Sequence, residues 1–272
     1  MQHQSAGRFA QAEQLYRQVL EQDGGHPVAL HLLGVLAHMA KQSDVGIDLI
    51  RSAIANAPEY VAAHNNLGNV LRDVGKFEAA IEAFTTAIAL KPDYAEAFGN
   101  LGLAQQGLGH NTAAIGSYKK ALELKPNLVD TLNNLGNVLR QEGELAEAEA
   151  SFRAAITLKP DYAQVHFNLG ATLKQQGDLT AALSCFQQAI ALRPDFAAAH
   201  NSQGLCLQRQ GELAQATLSY RRALELAKND AAYLSNLASA LELQGELKEA
   251  LACYGQALAI NPDSRGGRLH WL

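Results

Sequence analysis

The chain has 272 residues, 18% of them charged, and a formal net charge of -5. It lacks the basic face that nucleic-acid binders carry, and no stretch of 18 apolar residues is present to span a bilayer. Residues 1–6 show neither the basic nor the apolar region of a signal peptide, so the expectation is a cytoplasmic chain with neither nucleic acid nor membrane as partner.

Residues 1–26 read as the second helix of a repeat whose first helix is largely missing. Phe9, Leu15 and Val19 leave it an apolar face without a partner, a route to a homo-oligomer. From there the sequence repeats every 34 residues, over 27–60, 61–94, 95–128, 129–162, 163–196, 197–230 and 231–264, so residues 1–264 read as a single array. One column is Gly34, Gly68, Gly102, Gly136, Gly170 and Gly204, with Ala238 next. A second is Gly7, Gly75, Gly109, Gly143, Gly177, Gly211 and Gly245. Two alanine columns run from Ala80 to Ala250 and from Ala53 to Ala257. The aromatic column is Tyr16, Phe84, Tyr118, Phe152, Phe186, Tyr220 and Tyr254, interrupted by Ile50. Residues 265–272 form a tail that fits no repeat position. With no polar cap at either end, the chain reads as a segment of a longer protein.

Residues 61–94 show the physics of one repeat. Val61, Leu67, Gly68 and Leu71 recur at helical spacing, and Gly75 supplies a left-handed stop. Phe77, Ala80, Ile81, Phe84, Ala87, Ile88 and Leu90 form the buried stripe of a second helix, which Pro92 ends. Asp93 is then expected to cap the next helix, with Glu96 completing a capping box. A mid-helix glycine costs about 0.5–1 kcal/mol relative to alanine, so the Gly34–Gly204 column predicts a neighbouring helix too close for a Cβ, with aromatics filling the space between repeats. The expected fold class is all-α: a right-handed α-solenoid superhelix of antiparallel helix pairs.

The sequence offers no catalytic constellation: no Gly-x-Ser-x-Gly, no phosphate-cradling loop, no converging carboxylates. No cofactor or metal is expected either. His64, His166 and His200 share one repeat position and so fall in separate repeats; they read as partly buried packing rings. Cys185, Cys206 and Cys253 are too few and scattered for a disulfide framework and read as small buried apolar residues.

The pattern N-x-L-G, then Gly and Ala, an aromatic, Ala, and a closing K-P-D-Y or R-P-D-F resembles the tetratricopeptide repeat over nearly the whole chain. That resemblance implies a concave wall built by first helices, and a role in holding other proteins or peptides in the groove. Two before the helix glycine stand Leu32, Asn66, Asn100, Asn134, Asn168, Ser202 and Asn236. This series is similar to the asparagine ladder of O-linked N-acetylglucosamine transferases, which grips the backbone of bound polypeptide. One position earlier stand His31, Asn65, Gly99, Asn133, Phe167, Asn201 and Ser235, so the lysine of the carboxylate clamp found in chaperone-binding members is missing.

Asparagine is a mediocre helix former, and its amide offers the donor and acceptor that a peptide unit needs. Five such contacts at about 0.5–1.5 kcal/mol each imply micromolar or weaker binding after the ligand is ordered. Asn65, Asn69, Asn133, Asn137 and Asn201 enrich the same wall in amides, Arg72, Arg140 and Lys174 add positive charge, and Glu96 and Asp130 stand near helix starts. The competing reading is that the ladder amides bond to each other between repeats and only stabilise stacking. The expected function is a non-enzymatic scaffold for extended polypeptide. The alternatives are the recruiting arm of a larger glycosyltransferase-type enzyme and a self-associating structural module.

Overall fold

The computed structural model describes residues 2–261, with side chains from residue 10 onward, and all its regular structure is helix. Phe9, Pro262 and the tail 265–272 lie outside the described side chains and residues. The chain forms two compact units, Met1–Val138 and Leu139–Leu272. The N-terminal unit contains α1 (Gln2–Gln22), α2 (Pro27–Met39), α3 (Ser43–Asn56), α4 (Val61–Asp73), α5 (Phe77–Leu90), α6 (Ala95–Gly107) and α7 (Asn111–Leu124). The division falls inside α8 (Val129–Gln141). The C-terminal unit contains α9 (Leu145–Leu158), α10 (Ala163–Gln176), α11 (Leu179–Leu192), α12 (Ala197–Arg209), α13 (Leu213–Leu226), α14 (Ala231–Gln244) and α15 (Leu247–Ile260).

Within each unit the helices pack in sequence, first helix on second helix, and first helices of successive pairs also touch: α2 with α4 and α4 with α6, α10 with α12 and α12 with α14. The result is a solenoid of helix pairs. Its core is made of small and flat side chains. Ala80, Ala114, Ala148, Ala182 and Ala216 are fully buried, as are Phe84, Tyr118, Phe152, Phe186 and Tyr220.

The expected turns form. Gly75, Gly109, Gly143, Gly177, Gly211 and Gly245 all have positive φ, from 74° to 93°, the left-handed conformation that ends a helix without a Cβ clash. Lys41 stands at the same repeat position as Gly75 and adopts φ 66° despite its side chain. At Gly7 no turn is made: α1 runs through it as one 21-residue helix.

Two packing expectations are corrected. A neighbouring helix does come too close for a Cβ at the helix glycines, but the aromatics expected between repeats do the filling inside each pair: a Cβ at Gly68 would lie 2.6 Å from Phe84 Cε1, one at Gly102 2.5 Å from Tyr118 Cε1, and one at Gly204 2.6 Å from Tyr220 Cε1. In α2 and α3, where Ile50 replaces the aromatic, backbones meet; there a Cβ at Gly34 would lie 2.8 Å from the Gly46 carbonyl oxygen. The Asp93–Glu96 capping box does not form either. Tyr94 is the N-cap residue of α6 and makes no side-chain cap bond, because the turn after Pro92 leaves Asp93 one residue too early. Side-chain caps appear instead at Asp178, which accepts from Ala181 N at 2.9 Å, and at Asp230, which accepts from Ala232 N and Tyr233 N.

Candidate functional site

The predicted ladder residues all stand on first helices: Asn66 on α4, Asn100 on α6, Asn134 on α8, Asn168 on α10 and Asn236 on α14. A single rule organises their hydrogen bonds. Asn66, Asn100 and Asn236 each reach back to the residue 35 positions earlier, which lies on the first helix of the preceding repeat. Asn66 Nδ2 donates to His31 Nε2 at 2.8 Å, Asn100 Nδ2 to Asn65 Oδ1 at 3.2 Å, and Asn236 Nδ2 to Asn201 Oδ1 at 2.9 Å. Burial holds the His31 pKa below its ordinary value. With Nε2 accepting, the neutral ring's Nδ1–H donates to the Tyr60 hydroxyl at 3.0 Å. These asparagines therefore stitch neighbouring first helices together.

Asn134 breaks the rule. The position it would reach holds Gly99, which has no side chain, and Asn134 makes no side-chain hydrogen bond among the described residues. Gly99 is also tightly placed, since a Cβ there would lie 3.1 Å from Thr131 Oγ1. The open space beside it is a cleft of about 350 Å³ in the N-terminal unit. Arg72, Glu96, Gly99, Asn100, Leu103, Leu128, Asp130, Thr131 and Asn134 line it. A free carboxamide thus faces a cavity that already presents an apolar floor and polar rim.

The charges of this cleft are largely committed. Arg72 donates from Nη2 to Asp73 Oδ1 at 2.8 Å and from Nη1 to Asn100 Oδ1 at 3.4 Å. Burial pushes the Asp73 carboxyl up, but the hydrogen bonds and charges of Arg72 and His38 outweigh it and hold the group below its usual range. Lys125 Nζ donates to Glu96 Oε1 at 2.7 Å and holds that carboxyl low as well. Asn65 and Asn133 are buried, while Asn69 donates to Asn66 Oδ1 at 3.5 Å and Asn137 is half-buried.

In the C-terminal unit Asn168 is buried and accepts from Gln164 Nε2 at 3.2 Å. Arg193 donates to Gln164 and stacks 3.4 Å from the Phe196 ring centroid. Lys174 forms neither hydrogen bond nor ion pair among the described residues, and the buried Nε of Arg140 has no hydrogen-bond partner. The histidines act as staples: His64, His166 and His200 each bond from Nε2 to the carbonyl oxygen of the proline six residues back, at 2.8, 2.8 and 3.1 Å.

Two features escaped the sequence reading although their signals were present. The column one before the ladder reads in sequence as an empty clamp and, at Asn65 and Asn133, as further groove amides, whereas His31, Asn65 and Asn201 supply the ladder's partners. A spacing of 12 also links each aromatic to a residue on its first helix: Tyr118 donates to Gln106 Oε1 at 2.9 Å, Tyr220 to Gln208 Oε1 at 2.8 Å and Tyr254 to Glu242 Oε2 at 3.0 Å.

Comparison with known proteins agrees with this architecture. Models described as TPR repeat or tetratricopeptide repeat match residues 3–61, 68–109, 108–141, 136–177, 167–231 and 231–264. Nothing matches among curated protein sequences. Solved structures similar in fold include MamA, 27% identical over 60% of this chain and 95% of its own, with a TM-score of 0.57. PilF of Pseudomonas aeruginosa is 22% identical, covering 76% of this chain and 94% of its own, with a TM-score of 0.68. YrrB, a TPR protein with an unusual peptide-binding site, is 24% identical over 69% of this chain and 96% of its own, with a TM-score of 0.59. The matched segments lie between residues 3 and 264 and are of one kind, and the chain belongs to the tetratricopeptide repeat family.

Proposed function

We propose that the chain is a non-catalytic, cytoplasmic scaffold that holds an extended polypeptide segment against its first-helix wall, with the cleft at Asn134 as the anchoring point. The observation that carries this reading is the unpaired Asn134 carboxamide beside a cleft of about 350 Å³. An amide with donor and acceptor both free matches the NH and CO of one peptide unit. The Asn100 carboxamide, whose Oδ1 and Nδ2 are taken by Arg72 and Asn65, flanks it and adds shape more than affinity. Leu103 and Leu128 give an apolar side chain of the ligand a place to bury. The presence of a peptide-binding site in the similarly folded YrrB supports the reading.

The finer likeness, to the asparagine ladder of O-linked N-acetylglucosamine transferases, enters this proposal as a shared mode of gripping backbone. It narrows to Asn134 in the N-terminal unit, since Asn66 and Asn100 already bond to neighbours.

The test is a peptide-library binding measurement on wild type, Asn134→Ala and Asn100→Ala. Loss of one backbone contact predicts binding about 3–10-fold weaker in Asn134→Ala, with unchanged helicity. Equal affinity of Asn134→Ala and wild type across the library would sink the reading.

A further inference from the structure

The 12-residue link between each aromatic and its first helix divides the repeats into two kinds. Where the aromatic is tyrosine, the linked residue is Gln106, Gln208 or Glu242, and the phenol donates to it. Where the aromatic is phenylalanine, at 84, 152 and 186, the linked residue is Arg72, Arg140 or Lys174. The chemistry accounts for the pairing. A buried phenol needs an acceptor, and a glutamine or glutamate oxygen supplies it. Phenylalanine asks for nothing, so the long cation above it is left free to point elsewhere. In the N-terminal unit the neighbour of that cation is Asp73, which takes the Arg72 charge at 2.8 Å. In the C-terminal unit the corresponding neighbours are Gln141 and Gln175, which carry no charge.

The forward reach differs too. Arg72 donates to Asn100, the ladder residue of the next repeat; Arg140 has Asn168 in the matching place, whose Oδ1 accepts from Gln164, and Lys174 has the short Ser202. The acidic column Glu96 and Asp130 continues in the C-terminal unit as Gln164, Ala198 and Ala232. The cations are therefore neutralised from neither side. Lys174 has no ion pair among the described residues, and Arg140 keeps a buried Nε without a partner. Arg209 lies near as well: burial pushes the Cys206 thiol up, and the positive charges of Lys174 and Arg209 oppose it.

We propose that Arg140 and Lys174 make the first-helix wall of the C-terminal unit a receptor for carboxylate side chains, so that the bound polypeptide carries an acidic stretch. This rests on the peptide-scaffold reading above and adds the chemical class of the ligand. A partly desolvated guanidinium lacking a partner gains most from an anionic acceptor, and a lysine without a neighbouring carboxylate keeps its full charge for an incoming one.

The experiment titrates the full chain with labelled synthetic peptides of equal length, Glu-rich, Gln-rich and Lys-rich, and with a single-stranded DNA oligonucleotide, at low and high salt. Wild type is expected to prefer the Glu-rich over the Gln-rich peptide by about 10-fold at low salt, the preference shrinking as salt rises. Lys174→Gln with Phe186→Tyr, and Arg140→Gln with Phe152→Tyr, install the Tyr–Gln pair found natively at Tyr118 and Gln106, so both doubles are built to fold; Lys174→Gln alone is the fallback. Each is expected to remove most of the preference, while Lys120→Gln, at an exposed cation of the second helix α7, leaves it in place. Equal binding of Glu-rich and Gln-rich peptides, weakened together in Asn134→Ala, would overturn this proposal and leave the scaffold reading standing. Binding of no peptide at all would overturn both. Tighter binding of the oligonucleotide, lost in the same doubles, would assign the cations to nucleic acid and overturn the proposal.

Discussion

Asn100 and Asn134 hold the same place in successive repeats, yet one is structural and the other is free. What separates them is a residue neither of them chose: Asn65 stands 35 positions before the first and Gly99 before the second. Where the preceding repeat offers a polar side chain, the ladder amide closes on it, and the wall becomes a lattice of stitched helices. Where it offers glycine, the same amide opens onto a cleft. A repeat protein can thus assign one residue type two jobs by varying only its partner column, with the backbone left unchanged.

The sharpest way to break this comparison is to treat the two regions identically and read stability. Asn65→Ala removes the buried acceptor of the Asn100 Nδ2 bond, and the net loss is expected to be about 0.5–1.5 kcal/mol after the better helix propensity of alanine offsets part of it. Asn134→Ala breaks no internal bond, so it is expected to be neutral or slightly stabilising, by at most about 0.7 kcal/mol. Chemical denaturation of both variants measures this. A larger loss for Asn134→Ala than for Asn65→Ala would show that Asn134 has a structural partner after all.

A second contrast concerns the aromatic column. Tyr220→Phe removes a buried hydroxyl whose bond to Gln208 is 2.8 Å, and Gln208 in turn donates to Ser239 at 3.1 Å. Phenylalanine fits this position in three other repeats, so the ring itself should repack without strain. The expected cost is the hydrogen bond alone, about 1 kcal/mol. The reverse change, Phe186→Tyr, places a phenol opposite Lys174, which cannot accept, and is expected to give no gain. Thermal denaturation of the two single variants decides the matter: equal shifts would mean that the Tyr–Gln and Phe–Lys pairings are incidental.

Period and pattern alone made the helices and their pairing legible, because each glycine, alanine and aromatic column answers one packing constraint. They predicted the close approach at the helix glycines but put the aromatics between repeats and not within the pair. Gly68 gives way to Phe84 of its own pair, whereas Gly34, opposite Gly46, meets backbone. One-dimensional spacing cannot say whether a small residue faces its own pair or the next. For the site, the ladder was legible, whereas its state was not: Asn66, Asn100 and Asn236 are bonded, and only the three-dimensional offset of 35 residues shows why Asn134 is not. The Asp93 cap failed for a related reason, since a one-residue difference in where α6 begins lies below what a sequence pattern resolves.

The smallest effect expected lies at the rim of the cleft and depends on pH. The Glu96 carboxyl is held below its ordinary range chiefly by the Lys125 hydrogen bond. A carboxylate whose pKa is depressed in the folded state contributes stability that is present above its unfolded pKa and fades as pH falls through the folded one. The contribution is therefore complete at neutral pH and lost in the acid range below the ordinary glutamate value. Both side chains are nearly half exposed, 48% and 47%, so solvent screening limits the effect to a few tenths of a kcal/mol. Glu96→Gln should accordingly lower stability slightly at pH 7 and converge with wild type in acid. On the proposed function, in which the Asn134 amide reads backbone and not charge, the same variant should leave peptide affinity nearly unchanged. If it instead weakened binding as strongly as Asn134→Ala, the cleft would be selecting a basic side chain through Glu96, and the division between a neutral anchor and a charged rim would have to be redrawn.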